Sequence, residues 1–171
     1  MVSSCAPPRL AAAASVREDR EAAAWQVVAA VEDPEIPVLT LADLGIIRFV
    51  KVRSDGVLEV GLSSTYTGCP AVEAIRHSVE RALLEADLGP VEVTTVLSPA
   101  WSSAWITPEG QRKLAEYGIA PPPATLADKP AACPRCQSLN TERISQFGST
   151  PCKALHRCCS CLEPFESFKC I

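Results

Sequence analysis

Histidine is nearly missing from this 171-residue chain, which has only His77 and His156. Two histidines and eight glycines give neither a serine–histidine–aspartate set nor a glycine-rich phosphate loop, so hydrolase and nucleotide-handling chemistry find no support. No run of eighteen or more apolar residues occurs, so no membrane-spanning helix is expected. The first fifteen residues are alanine-rich, have no cationic start and pass quickly into Arg17-Glu18-Asp19-Arg20-Glu21. They read as a poor secretory leader, and the expected compartment is the cytoplasm. Strong positive charge is lacking too, since the formal net charge is −4. The segment after Ala132 has five basic and three acidic side chains, too slight an excess for a nucleic-acid-binding face.

What the chain does have is nine cysteines and fifteen prolines. Cys133-Pro134-Arg135-Cys136 is followed, after twenty-one residues, by Cys158-Cys159-Ser160-Cys161. Each Cys-x-x-Cys pair puts two thiolates on one tight turn, and two such turns supply the four tetrahedral ligands of a structural zinc site. A reducing compartment favours metal ligation over disulfides for cysteines so paired. A segment of roughly forty residues also buries too little apolar surface to fold unaided. Zinc binding supplies on the order of 10 kcal/mol, enough to fold it.

Four parts are expected: an arm over 1–15, an α+β domain over 16–120, a proline-rich linker over 121–132 and a cysteine-rich ribbon over 133–171. The linker reading rests on Pro121-Pro122-Pro123 and Pro130, which remove donors and stiffen the chain. In the larger domain, Val16 to Glu32 carries Trp25, Val28 and Val31 at helical spacing and stops at Asp33-Pro34. Ile46 to Val52 and Val57 to Leu62 are strand-like runs separated by Ser54-Asp55-Gly56, a hairpin signal. Pro70 to Asp87 lines up Val72, Ile75, Val79, Ala82, Leu83 and Ala86 on one stripe of a helix. Val91 to Leu97 alternates as a strand, and Thr107-Pro108 opens a helix reaching Tyr117. This order implies a small mixed sheet layered with helices, followed by a small zinc ribbon.

Cys69 stands where the second strand hands over to the long helix. Unpaired N–H groups and the positive end of the helix dipole would favour its thiolate there, making it a nucleophile or soft-metal ligand. The same position also suits a small buried residue. Asp33 and Glu35 sit on the proline-stiffened turn Asp33-Pro34-Glu35-Ile36-Pro37, where rigid carboxylates can steer a metal or accept a proton, although acids at a helix end are commonly just solvated.

These residues carry a resemblance. Asp33-Pro34-Glu35-Ile36-Pro37, Leu41-Ala42-Asp43-Leu44-Gly45-Ile46-Ile47 and Thr65-Tyr66-Thr67-Gly68-Cys69-Pro70 together resemble the metal-sulfur cluster assembly domain family, cytosolic factors that help load iron-sulfur clusters into target proteins. That likeness covers roughly residues 17–97. Trp101-Ser102-Ser103-Ala104-Trp105, Gly118-Ile119-Ala120-Pro121-Pro122, the two cysteine pairs, Phe147-Gly148-Ser149-Thr150, Cys152-Lys153-Ala154 and Phe168-Lys169-Cys170 extend it to the PaaD family, accessory proteins of the bacterial phenylacetyl-CoA epoxidase complex. The resemblance implies a maturation factor and not a catalyst. Cys69, with Thr67 beside it and Asp33 and Glu35 around it, would hold iron or a cluster transiently. The ribbon would dock a client or anchor the fold, the client being the iron-sulfur reductase or the di-iron oxygenase of that complex. No nucleic acid or membrane partner is implied, and a homodimer is compatible with it.

The remaining thiols leave alternatives. His156 is close enough to Cys158 to replace one thiolate in a three-cysteine, one-histidine site. Cys152, Cys159 and Cys170 exceed what one zinc needs; they read either as buried small residues or as thiols that permit an iron-sulfur cluster at the carboxy terminus instead. His77 falls on a polar helix face and Cys5 in the arm. Trp101 and Trp105 can cover the core or face a client. A non-catalytic structural or regulatory component of the complex, with an inert Cys69, is the competing function.

Overall fold

The computed structural model describes residues 8–65, 71–123 and 130–170, with side chains from residue 15 onward. Helix α1, Pro8–Ala29, starts earlier than the expected Val16 and buries Ala24 and Val28, with Val27 and Val31 packed beside them. Trp25, expected on the inner stripe, is 41% exposed. The buried pair is spaced i, i+4, so the inner face is rotated by one position from the expected one. Pro34 cannot extend the helix, and the chain closes a turn in which Asp33 Oδ1 accepts the N–H groups of Glu35 (2.9 Å) and Ile36 (2.8 Å).

Thr40 then caps the short helix α2, Leu41–Leu44, and Asp43 reaches back to the Thr40 N–H in a capping box. Gly45 ends α2 in the left-handed region with φ 65°. A Cβ there would collide with the backbone of Trp105, so glycine is required twice over.

Strand β1, Ile47–Val52, pairs antiparallel with β2, Leu58–Leu62, across the expected hairpin. Helix α3, Ala71–Glu85, crosses over to β3, Val91–Thr95, which lies parallel to β2. The mixed sheet order is β1-β2-β3. Ile75, Val79 and Leu83 of α3 are buried on one helical stripe and share the core with Val60 and Val93 of the sheet. Ala86 is exposed because the helix stops one residue before it.

A 3₁₀ turn, Ser103–Trp105, leads to α4, Pro108–Glu116, which Thr107 caps and Pro108 opens as the sequence indicates. Lys113 of α4 places its ammonium 2.7 Å from Asp43 Oδ2, tying α4 to α2.

The carboxy-terminal sheet contains β5 (Thr141–Ser145), β6 (Lys153–Cys158) and β7 (Pro164–Phe168) as an antiparallel ribbon. Strand β4, Ile119–Ala120, adds to it in parallel with β7, giving the order β4-β7-β6-β5. Phe168 and Cys152 belong to the same buried cluster as the helices and sheet of the amino-terminal half. Phe168 meets Trp101 with ring centroids 6.0 Å apart, and Trp101 donates its indole N–H to the Leu44 carbonyl at 2.9 Å. Ala120, Cys133, Cys158 and Phe165 form a second, smaller core inside the ribbon. Among the described residues, no helix is long and apolar enough to cross a membrane.

Burial pulls the Asp43 carboxyl upward, but the Lys113 ammonium and the Thr40 N–H and hydroxyl outweigh it and hold it below its ordinary value. Its contribution to stability is therefore present above the unfolded-state carboxylate pKa and is lost as pH falls through the lower folded value. Asp43→Ala should cost about 2–4 kcal/mol in urea unfolding at pH 7, and the gap to the unsubstituted chain should close as the pH falls from about 5 to about 2.

Candidate functional site

Two features of chemical interest are built on this frame: the ribbon's cysteine turns and a cavity between the ribbon and the α+β core. The two turns are near copies. In each, the N–H of the first cysteine reaches the carbonyl five residues on, Cys133 to Ser138 and Cys158 to Glu163, both at 3.0 Å. The residue four positions on returns its N–H to the first cysteine's carbonyl, Gln137 to Cys133 at 2.8 Å and Leu162 to Cys158 at 2.9 Å. This bend puts Gln137 and Leu162 in left-handed backbones, φ 60° and 66°.

The Sγ atoms of Cys133, Cys136, Cys158 and Cys161 all lie within 4.8 Å of one another, with Cys133–Cys161 at 3.7 Å and Cys136–Cys158 at 3.5 Å. Four sulfurs about 2.3 Å from a tetrahedral ion stand about 3.8 Å apart, so this group fits one such ion. Cys133 and Cys158 are buried, while Cys136 is exposed and Cys161 half-buried. The backbone N–H of Cys161, with help from that of Ser160, lowers the Cys158 thiol to about 6. Cys158 is thus the sulfur readiest to be a thiolate at neutral pH.

The remaining thiols and the histidine sit elsewhere. His156 Nε2 is 2.9 Å from Ser167 Oγ and its ring stacks on Phe165 at 5.4 Å, outside the four-sulfur group. Cys159 is exposed, with its N–H given to the Asn140 carbonyl at 2.8 Å. Cys170 is exposed, with Sγ 3.7 Å from Ser103 Oγ.

The cavity holds about 40 Å³ of space, enough for a water or an ion with a ligand. Asp33 and Glu35 line it with Leu44, Ser63, Thr65, Ala71, Cys152 and Phe168. Glu35 is raised from its ordinary value, first by burial and then by the Asp33 charge, against a lowering pull from Lys153. Lys153, almost wholly buried, is occupied by Glu166 at 2.8 Å. The structure therefore gathers Asp33 and Glu35 on one cavity. Cys69 and Thr67 lie outside the described residues.

Cys152, offered by the sequence as a buried small residue or a spare metal thiol, is buried at 6% exposure and lines the cavity. Trp101 is core, while Trp105 is half-buried under the Arg48 guanidinium, 4.1 Å from its ring centroid. His77 is on the exposed face of α3.

Comparison with known proteins places both halves. Residues 21–97 match the family described as iron-sulfur cluster assembly protein, and residues 120–169 match the PaaD zinc beta ribbon domain. An Escherichia coli (strain K12) protein, named for one of the components of 1,2-phenylacetyl-CoA epoxidase, is 46% identical over 151 residues, covering 86% of this chain and 91% of that one. The chain belongs to the PaaD family. A second relative, named an Fe-S protein maturation auxiliary factor, from Porphyromonas gingivalis, is 35% identical over 86 residues, 49% of this chain and 80% of its own. A crystal structure of a DUF59 domain from Bacillus anthracis superposes with TM-score 0.54 at 24% identity, covering 59% of this chain and 96% of that one. That likeness concerns the α+β fold alone.

Leu162 is 72% exposed, so its side chain contributes little packing while its backbone is strained. Leu162→Gly should raise the stability of the metal-loaded ribbon by roughly 0.5–1 kcal/mol, measured by guanidinium unfolding. A loss of stability would show that the left-handed turn is not strained as described.

Proposed function

We propose that the chain is an accessory maturation factor of a phenylacetyl-CoA epoxidase system, handling iron or an iron-sulfur cluster on its way to that complex. The observation that carries this reading is the near full-length similarity to a protein named for that epoxidase, in a chain whose amino-terminal half matches an iron-sulfur assembly family. The named maturation factor among its relatives supports the same conclusion. The cargo residues of this reading are Cys69 and Thr67, which lie outside the described residues, together with Asp33 and Glu35 on the cavity wall. Zinc held by Cys133, Cys136, Cys158 and Cys161 is structural: four thiolates leave no open position for chemistry.

Transfer proceeds by ligand exchange. The bond from iron to the chain's thiolate breaks as a bond to a client cysteine forms, and the client thiol's proton passes to the departing sulfur. No electron is transferred and no substrate turns over. Glu35, raised from its ordinary value first by burial and then by the Asp33 charge, stands on the cavity wall where it can accept and return that proton. The clients are the iron-sulfur reductase or the di-iron oxygenase of the complex, reached in the cytoplasm.

Zinc analysis of the purified protein should give about one ion per chain, lost in Cys158→Ser together with the ribbon's protection from proteolysis. The functional test is the iron and acid-labile sulfide content of the epoxidase reductase made with and without this chain. A several-fold deficit without it, reproduced by Cys69→Ala, is expected. Full cluster content in its absence would leave the structural-component reading in its place.

A further inference from the structure

The ribbon's slight excess of positive charge is gathered in one place. After Ala132 the chain has five basic and three acidic side chains, and each of the three acids is answered inside the ribbon. Glu163 pairs with Arg135, Glu166 with Lys153 at 2.8 Å and Glu142 with Arg157 at 2.6 Å. The two cations left over are Arg143 and Lys169, and both line one groove of about 920 Å³ on the carboxy-terminal sheet. The Arg143 guanidinium makes no hydrogen bond or ion pair among the described residues. The Lys169 ammonium has only neutral partners there, the Pro151 carbonyl at 2.7 Å and the Phe147 ring, 4.2 Å from its centroid. The two cations feel each other: burial lowers the Lys169 ammonium from its ordinary value, Cys152 pulls it back up, and the Arg143 charge lowers it again. Among the described residues that line the groove there is no carboxylate.

Strand pairing builds the floor. Arg143 of β5 stands opposite His156 of β6, Ala154 of β6 stands opposite Ser167 of β7, and Ser167 in turn faces Ala120 of β4. Paired residues share one face of a sheet, so these side chains lie on the groove's side together. His156, lowered from its ordinary value by burial and then by the Arg143 charge, stays mostly uncharged at neutral pH. The charge of the groove is therefore that of Arg143 and Lys169. Pro121, Pro130 and Leu139 wall it with apolar surface, and Leu139 is 62% exposed.

Like charges held on one surface with no carboxylate to answer them favour an anionic partner. Two charges are too few for nucleic acid, whose phosphates reward longer basic tracks. The apolar walls suit side chains better than a simple anion. Addition of a strand at the free edge of β5 is disfavoured, because Ile144 is an extra residue bulged between Arg143 and Ser145, and a bulge blunts an edge. What fits is an extended chain lying on the face, with carboxylates toward the two cations and apolar side chains toward the prolines and Leu139.

We propose that this groove docks an acidic, extended segment of a client protein, its carboxylates paired with Arg143 and Lys169. The identity of the partner as a client rests on the maturation reading, whereas the preference for an acidic segment rests on the groove alone.

The test is fluorescence anisotropy of the full-length, zinc-loaded chain with a labelled peptide of about ten residues that alternates glutamate and leucine, beside the same peptide with glutamine for glutamate. The glutamate peptide should bind, several-fold more weakly as salt rises from about 50 to about 200 mM, and the glutamine peptide at least about tenfold more weakly than the glutamate one. Arg143→Glu removes a guanidinium with no partner to lose, so it should melt like the unsubstituted chain yet bind the glutamate peptide at least about tenfold more weakly. Lys169→Gln should weaken binding in the same direction. Arg81→Glu, the same charge change on the exposed face of α3, should leave it unaltered. Equal affinity in Arg143→Glu, or equal binding of the glutamine peptide, overturns the proposal. So does a random oligonucleotide that binds as tightly, which would make the groove a general polyanion surface. If the glutamate peptide binds only once Asp128→Asn is introduced, the chain's own linker fills the groove and the proposal falls as well. Failure of the peptide test while the reductase still requires the chain for its cluster leaves the maturation reading standing without this dock. If the peptide binds through Arg143 but the reductase matures normally without the chain, the acidic-segment groove stands and the maturation reading falls.

Discussion

The seating of Phe168 against Trp101 is the contact on which the rest of the structure depends. Trp101 is fixed through its indole N–H to the carbonyl of Leu44, at the end of the capped turn that also carries Asp43. Phe168 is the last residue of β7, a strand held on one side by β4 and on the other by β6. Burying one such aromatic contributes roughly 2–3 kcal/mol, and the pair adds a further fraction of that through its tilted geometry. Through this contact the small sheet becomes part of the larger domain's core. The cavity bounded by Asp33 and Cys152 exists because two separately built surfaces meet there.

The ribbon brings little hydrophobic support of its own. Its private core is Ala120, Cys133, Cys158 and Phe165, and two of those four are metal-ligand candidates. A metal on those sulfurs would therefore make binding and folding one event in this part of the chain. The buried ion pair of Lys153 and Glu166, further held by the Ser149 hydroxyl at 3.1 Å, sets the register between the turn before β6 and the strand β7. Such a pair is worth more for orientation than for net stability. What it orients is Cys152.

Much of this was legible from residue order. The hairpin announced itself through Ser54-Asp55-Gly56 between two β-branched runs, and the long helix through its apolar spacing, because both signals are local. The two Cys-x-x-Cys pairs were equally plain, since tetrahedral ligation demands that pattern. What remained hidden was long-range. Nothing near Trp25 indicates that Ala24 takes the inner position, because the choice is made by the strands that α1 meets. Nothing near Cys152 indicates a neighbour more than a hundred residues earlier. The pairing of β4 with β7 is likewise invisible, for two residues carry no periodicity. The carboxylates of the Asp33-Pro34-Glu35 turn were visible as candidates, but their burial depends on Phe168 and Cys152 arriving from the far end of the chain.

The ribbon's Cys152 and Phe168 complete the cavity wall, and hydrogen exchange of the full chain, zinc-loaded and after chelation, tests most directly whether metal on the four cysteines holds that wall in place. Loss of metal should speed exchange at the amides of Ile36 and Ser63, two residues that line the cavity, while the β1–β2 ladder at Val50 and Val60 stays protected. Equal protection at Ile36 and Ser63 in both states would contradict it, because the cavity would then be a property of the amino-terminal half alone.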